Sequence, residues 1–265
     1  RACVEYASHC GQCRFCRTGR YNHCERRRAA SGGTHAGFAE RVVAHASALY
    51  PVPEHMSPDD AMMIEPLAVS HRAFHRSRAT YQDTLLVIGS GTIGLLAVAT
   101  AKAAGIGQVI ACARHNCQAE LAEKLGADCV IRVPDQDVNA EVRQLTKGLG
   151  ASAVIETTAS QAGVNDALRT AANGGTIVLV GGFHKPLEVN LGRIVGGEIY
   201  VTGSNCYGYS GTRTDFDWSA ELISSGRVQA GKLITHRFPL ADIGVAFETA
   251  ADKTTGSVKV QVALR

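Results

Sequence analysis

Four cysteines fall within fifteen residues, in the stretch HCGQCRFCRTGRYNHCE: Cys10, Cys13, Cys16 and Cys24, spaced C-x2-C-x2-C-x7-C. Four thiolates can close a tetrahedral shell around Zn²⁺, and a closed shell leaves no position for water or substrate. Such a centre organises a loop and leaves the chemistry to other residues. A redox C-x-x-C normally comes as one pair beside a thioredoxin-like unit, and that context is absent. An iron–sulfur cluster shares the C-x2-C-x2-C spacing but generally places its fourth cysteine differently. The spacing therefore favours structural zinc over both rivals.

A second group of residues suited to binding follows in VIGSGTIG, where Gly89, Gly91 and Gly94 form G-x-G-x-x-G. Alone, the string also reads as a plain tight turn. Here it ends an apolar run and opens a helix, which is where a dinucleotide-binding loop must lie. Gly89 permits the turn, Gly91 lets the backbone approach a pyrophosphate, and Gly94 lets helix and strand pack closely. The cofactor contacts expected of this loop are Gly89, Ser90, Gly91, Thr92, Ile93 and Gly94. A ribose 2′-hydroxyl is usually held by an acid at the end of the next strand. That strand ends VIACARHN; Ala113 stands in the acid's place, Arg114 and His115 follow, and no acid occurs before Glu120. A guanidinium suits a 2′-phosphate, so Arg114 points to NADP over NAD. The plainer alternative is that Arg114 stacks on adenine or faces solvent.

These residues need a scaffold. From about Thr84 apolar runs alternate with helical segments. TLLVIGS, GQVIACA, CVIRV, SAVIETT, GTIVLVGG and EIYVTGS read as strands. TIGLLAVATAKAAG, QAELAEKLGA, VNAEVRQLTKGLG and QAGVNDALRTAANG read as the helices between them. Continuous rather than alternating apolar strands imply burial on both faces, hence an α/β fold with a doubly wound, six-stranded parallel sheet of the Rossmann kind. Up to about Arg78 the chain is irregular. It holds the cysteine cluster, a glycine-rich patch SGGTHAGFAE, a short strand FAERVVA, and a helix start at Ser57 followed by Pro58 and Asp59. After Asn205 the alternation ends. DFDWSAELISSGRV and LADIGVAFETAA read as helices and SVKVQVAL as a closing strand.

Bulk properties narrow the classes. The chain has 265 residues, 45% hydrophobic and 19% charged, with a formal net charge of +3. That excess is too small to argue for nucleic acid or an anionic membrane, and Arg26, Arg27 and Arg28 read more simply as a solvated loop than as an anion site. No apolar run is long enough to span a bilayer, and no signal peptide is visible. Nine cysteines, an odd number mostly outside any framework, fit a reducing cytoplasm better than a secreted disulfide scaffold. The first residue is Arg1 rather than Met, inside a cysteine-bearing segment, so an N-terminal part is expected to be missing.

Taken together, CGQCRFCRTGRYNHC, IEPLAVSHRAF, GSGTIG and the tail KLITHRFPLADIGVAFETA resemble the zinc-dependent medium-chain alcohol dehydrogenases, nearest to their polyol (sorbitol-like) and threonine branch. The resemblance runs over essentially the whole chain. It implies a β-rich catalytic domain split around the Rossmann domain: residues 1–77 with the structural zinc loop, 78–205 for the dinucleotide, and 206–265 returning to the catalytic domain. It implies hydride transfer between a small alcohol or polyol and NAD(P), and a homodimer or homotetramer paired through the strand around Ile199 to Thr202. Nicotinamide contacts would fall on Thr157, Val180, Gly181, Gly203 and Ser204. Glu65 in IEPL matches the acid of the polyol branch that binds catalytic zinc directly or through its water; by itself it reads as an ordinary helix acid. The family's other zinc ligands, a Cys and a His followed by Glu, would precede the cysteine cluster, and Cys3 and His9 sit in neither motif. Arg72 stands where a His often occurs and His71 comes one residue early, so neither receives a role. The alternative is a nucleotide-binding fragment or regulatory protein that holds structural zinc and has no catalytic activity.

Overall fold

The computed structural model describes residues 1–29 and 37–264. Most of the glycine-rich patch, at 30–36, lies outside the described residues. By contacts the chain divides into two compact units, residues 69–205, and residues 1–68 together with 206–265.

In the unit of residues 69–205 six strands form one sheet: β1 (Thr84–Ile88), β2 (Gln108–Ala113), β3 (Cys129–Arg132), β4 (Ala151–Glu156), β5 (Ala171–Leu179) and β6 (Tyr200–Gly203). Their order is β6-β5-β4-β1-β2-β3, and every neighbouring pair is parallel. Between them run α1 (Thr92–Ala103), α2 (Asn116–Lys124), α3 (Val138–Leu145), α4 (Gln161–Thr170) and α5 (Leu191–Gly196). The central strands β1, β2 and β4 are apolar along most of their length because both faces are covered. Leu86, Ile110, Ile131 and Val154 of the sheet share one core with Val142, Val164 and Leu168 of the helices. Cys112 belongs to that core as a small hydrophobe, and burial pushes its thiol up to about 12. Winding outward in both directions from β1 leaves a crevice where β1 and β4 part, at their carboxyl ends.

The other unit is built from short pieces. Ala2–Val4 pairs antiparallel with Leu49–Pro51, Ala7–Ser8 with Arg28–Ala29, and Tyr209–Ser210 with Arg213–Thr214. Ile234–Pro239 and Lys259–Ala263 pair in parallel. Aromatic rings fill its interior: Tyr50 stacks on Phe216 at 4.2 Å, and Tyr207 meets Phe216 edge-on at 4.7 Å. The helix Asp215–Ser224 starts with a capping box, Thr214 and Asp217 each satisfying the other's backbone. Ser57 caps Pro58–Ala61 as its sequence predicts, accepting from the Asp60 amide at 3.0 Å.

Three local expectations are corrected. FAERVVA forms no strand: residues 38–43 are exposed, with Val43 78% accessible, and among the described residues no strand pairs with them. Helix α4 ends at Thr170 instead of running through AANG, because Ala171 pairs with Ala151 and starts β5. The short α5 and the strand Ile234–Pro239 are elements the sequence pattern did not announce.

Candidate functional site

The glycine loop lies at the mouth of the crevice. β1 ends at Ile88, and the chain turns at Gly89 with φ at 96°, a conformation that favours glycine. Gly91 is the N-cap of α1 and supplies no side-chain cap of its own. A Cβ on Gly91 would meet nothing within 4 Å, so it would project into open space. A Cβ on Gly94 would stand 1.7 Å from the Gly89 carbonyl oxygen; this is the close helix–strand approach. Neighbouring strands tie the loop down. Thr157 Oγ1, after β4, donates to the carbonyls of Ile88 at 3.0 Å and Gly89 at 3.1 Å. Ser90 Oγ donates to the Cys112 carbonyl on β2 at 2.8 Å.

A cleft of about 890 Å³ opens above this loop, of the size that ligand sites usually have. Gly89, Ser90, Gly91, Thr92, Ile93, Gly94, Arg114 and Thr157 all line it. Arg114 is exposed at the end of β2, and His115 beside it is the N-cap of α2 without a side-chain bond to that helix. Val180, Gly181, Gly203 and Ser204 follow or close β5 and β6 but stand outside the cleft's lining. The Ser204 amide donates to Leu179 at 2.9 Å, while its buried Oγ has no hydrogen-bond partner among the described residues. Sequence reasoning passed over Gln118, Thr158, Ser160 and Gly163, which also line the cleft. For Thr158 and Ser160 the signal was the polar run TTAS directly after SAVIE, since ligands in this fold meet the carboxyl ends of strands.

A dinucleotide fits these residues. The cradle at Gly91 is open where a Cβ would fill it, and it lies at the start of α1, where a helix favours a pyrophosphate.

In the other unit the four cysteines come together. Their sulfurs all lie within 4.8 Å of one another; Cys13 and Cys16 are 3.5 Å apart and Cys10 and Cys16 3.9 Å. Four sulfurs at about 2.3 Å from a zinc ion would stand about 3.8 Å apart, so the cluster fits the ion. Backbone amides already point at the thiols: Cys13 N–H at Cys10 Sγ, 3.3 Å, and Arg26 N–H at Cys24 Sγ, 3.3 Å. The amides of Gln12 and Cys13 hold the Cys10 thiol down at about 6, which favours the thiolate that a metal needs. No cysteine is in a disulfide.

Glu65 sits in the first turn of the helix Ile64–Ser77. Burial raises its carboxyl above the ordinary value, with Lys259 pulling the other way. Burial and the neighbouring Glu65 charge push the Cys3 thiol up to about 12. Among the described residues the four cysteines are the only group of three or more His, Cys, Asp or Glu close enough to hold a metal. The described residues around Glu65 therefore do not fit a second zinc.

Comparison with known proteins shows the family. The family "Zinc-binding dehydrogenase" matches residues 92–225, and "Alcohol dehydrogenase GroES-like domain" matches residues 1–54. The chain is 32% identical over 269 residues to a sorbitol dehydrogenase of Arabidopsis thaliana, covering 98% of this chain and 72% of that protein. It is similar to a solved alcohol dehydrogenase from E. coli CFT073 complexed with NADH, with a TM-score of 0.88, 27% identity, and 98% and 75% of the two chains covered. It is also similar to a zinc-binding dehydrogenase from Sinorhizobium meliloti 1021 bound to NADP, with a TM-score of 0.86, 28% identity, and 98% and 75% covered. A nucleotide-binding role without catalysis finds no support in these relatives.

Proposed function

Since the chain belongs to the zinc-dependent medium-chain alcohol dehydrogenase family, we propose that it moves hydride between an alcohol or polyol and NAD(P), with NADP preferred. The observation that carries this reading is the glycine-loop cleft at the carboxyl ends of β1 and β4. Bound there, NAD(P) supplies the nicotinamide ring that exchanges hydride with the substrate.

The chain's own residues bind and orient. The amides around Gly91 and Thr92 meet the pyrophosphate, which the open cradle and the start of α1 support. Arg114, exposed on the cleft wall, pairs with the 2′-phosphate. Thr157, Val180, Gly181, Gly203 and Ser204 flank the nicotinamide half; their positions at or after the ends of β4, β5 and β6 support this. Cys10, Cys13, Cys16 and Cys24 hold structural zinc. Glu65 is assigned to the reacting end on the strength of its motif and its burial. The catalytic role falls to residues 1–77 and 206–265, and the nucleotide role to residues 78–205. The protein is proposed to be a homodimer or homotetramer. β6 is an edge strand of its sheet with Tyr200 and Val201 exposed, which supports pairing there. Nine free thiols support a reducing, cytoplasmic setting. Among the described residues no helix is long and apolar enough to cross a membrane.

The test is a binding titration with NADPH and NADH, and then absorbance at 340 nm with NADP⁺ or NAD⁺ as hydride acceptor and sorbitol, ribitol, 2,3-butanediol or threonine as donor. Binding of NADPH at micromolar concentration and turnover of at least one polyol support the reading. Absence of dinucleotide binding removes it.

A further inference from the structure

Glu156, the last residue of β4, has no solvent exposure, and Thr157, Thr158 and Ser160 just after it line the cleft. Burying a charged group without partners is costly, and its partners all lie in the loop that follows. Oε1 accepts the Thr158 amide at 2.6 Å and also the Thr158 hydroxyl. Oε2 accepts the Ala159 amide at 3.2 Å. The Thr158 hydroxyl in turn contacts Ser160 Oγ at 2.8 Å, and Ser160 caps α4 through the Gly163 amide at 3.0 Å.

This bracing fixes an unusual backbone. Ala159 has φ at 52°, the left-handed region that an alanine seldom adopts. In that conformation it lies against the segment after β5, for a Cβ on Gly181 would stand 2.7 Å from both Ala159 N and Cβ. The Glu156 backbone carbonyl accepts from the Val180 amide at 2.9 Å, so the same residue ties both strand ends together. From the helix side, a Cβ on Gly163 would stand 2.6 Å from Glu156 Oε1 and 2.3 Å from Thr158 Oγ1. The carboxylate is enclosed by parts that leave it one position.

We propose that Glu156 is a positioning residue for the nicotinamide half of the dinucleotide: its buried carboxylate sets the 157–160 loop and, through Ala159, the 180–181 segment. The inference rests on the cleft being the NAD(P) site. It assigns Glu156 no contact with the cofactor. In Glu156→Gln the amide nitrogen carries hydrogens and cannot accept from both Ala159 and Thr158, so one buried N–H loses its partner.

The experiment measures dissociation constants of the intact zinc-loaded protein for NADPH and for 2′,5′-ADP, a probe that fills the adenosine half alone. Glu156→Gln is expected to weaken NADPH roughly tenfold, the scale of one lost charge-assisted bond, and to leave 2′,5′-ADP within about twofold. Gly163→Ala, which crowds the same carboxylate from α4 while improving helix propensity, is expected to repeat the pattern and serves if Glu156→Gln does not fold. A purely structural role would weaken both probes equally; that result, or unchanged NADPH binding in a folded variant, overturns the proposal. Failure of the wild-type protein to bind either probe would instead refute the nucleotide site itself.

Discussion

Replacing Gly91 by alanine separates binding from folding. At Gly91 φ is −77° and ψ is −173°, values open to any L-residue. An added Cβ meets no atom within 4 Å. Folding stability should therefore stay within about 0.5 kcal/mol of wild type, or rise slightly as the unfolded chain loses freedom. The methyl group would occupy the cradle into which the pyrophosphate must come. Displacing a phosphate by roughly 1.5 Å takes its N–H···O distances out of bonding range. Losing one to two hydrogen bonds to a charged group, each about 1.5–3 kcal/mol, amounts to about 3 kcal/mol, or about a hundredfold in Kd. Gly94→Ala is the contrast, since its Cβ would stand 1.7 Å from the Gly89 carbonyl oxygen. That change should cost at least about 1–3 kcal/mol of stability by overpacking. Urea unfolding and NADPH fluorescence titration read the two quantities separately. Gly91→Ala with wild-type NADPH affinity would refute the cradle assignment.

Other outcomes follow from the same geometry. Cys24→Ser should release the zinc, taking metal content by atomic absorption from one ion per chain to none and lowering stability by roughly 3 kcal/mol; undiminished metal content would show that the four thiols are not its ligands. Arg114→Asp should weaken NADPH about 10- to 100-fold more than NADH, and equal loss for both would remove the 2′-phosphate role. Burial holds the Glu5 carboxyl at about 7 in the folded protein against 4.5 unperturbed, with Glu65 adding to the rise and Tyr50 and Arg27 opposing it. The folded state thus keeps a proton that the unfolded chain releases. The stability that Glu5 contributes should be full below pH 4.5 and fall by about 3 kcal/mol as pH rises to 7. Between urea midpoints taken at pH 5 and pH 8, Glu5→Gln should lose that share of the slope relative to wild type.

Much of the nucleotide-binding unit could be read from sequence because its physics is local and repeated. A strand buried on both faces must be apolar along its length, so TLLVIGS and SAVIETT declare themselves, and the glycine loop has its meaning from following the first. The cysteine cluster is legible for a similar reason: its ligands are close in sequence as well as in space. What depends on partners far along the chain was not legible. FAERVVA has strand-forming residues, but a strand needs a ladder, and among the described residues none forms beside it. AANG looks helical until Ala171 pairs with Ala151. α5 is six residues with glycine near each end, too short to show a period. Glu156 looked like one more strand residue; its importance comes from a loop that folds back over its carboxylate. Glu65 was legible only through its motif, and the fold adds its burial and its neighbour Cys3.

The central claim is hydride transfer to a nicotinamide dinucleotide, and following the hydrogen tests it most directly. The purified zinc-loaded protein is incubated with NADP and polyols deuterated at their carbinol carbons, and the recovered cofactor is weighed by mass spectrometry. The account predicts NADPH heavier by one deuterium with at least one polyol, and loss of that signal in Gly91→Ala. Recovered cofactor without label, from a protein that binds NADPH and turns over no alcohol or polyol, would contradict it.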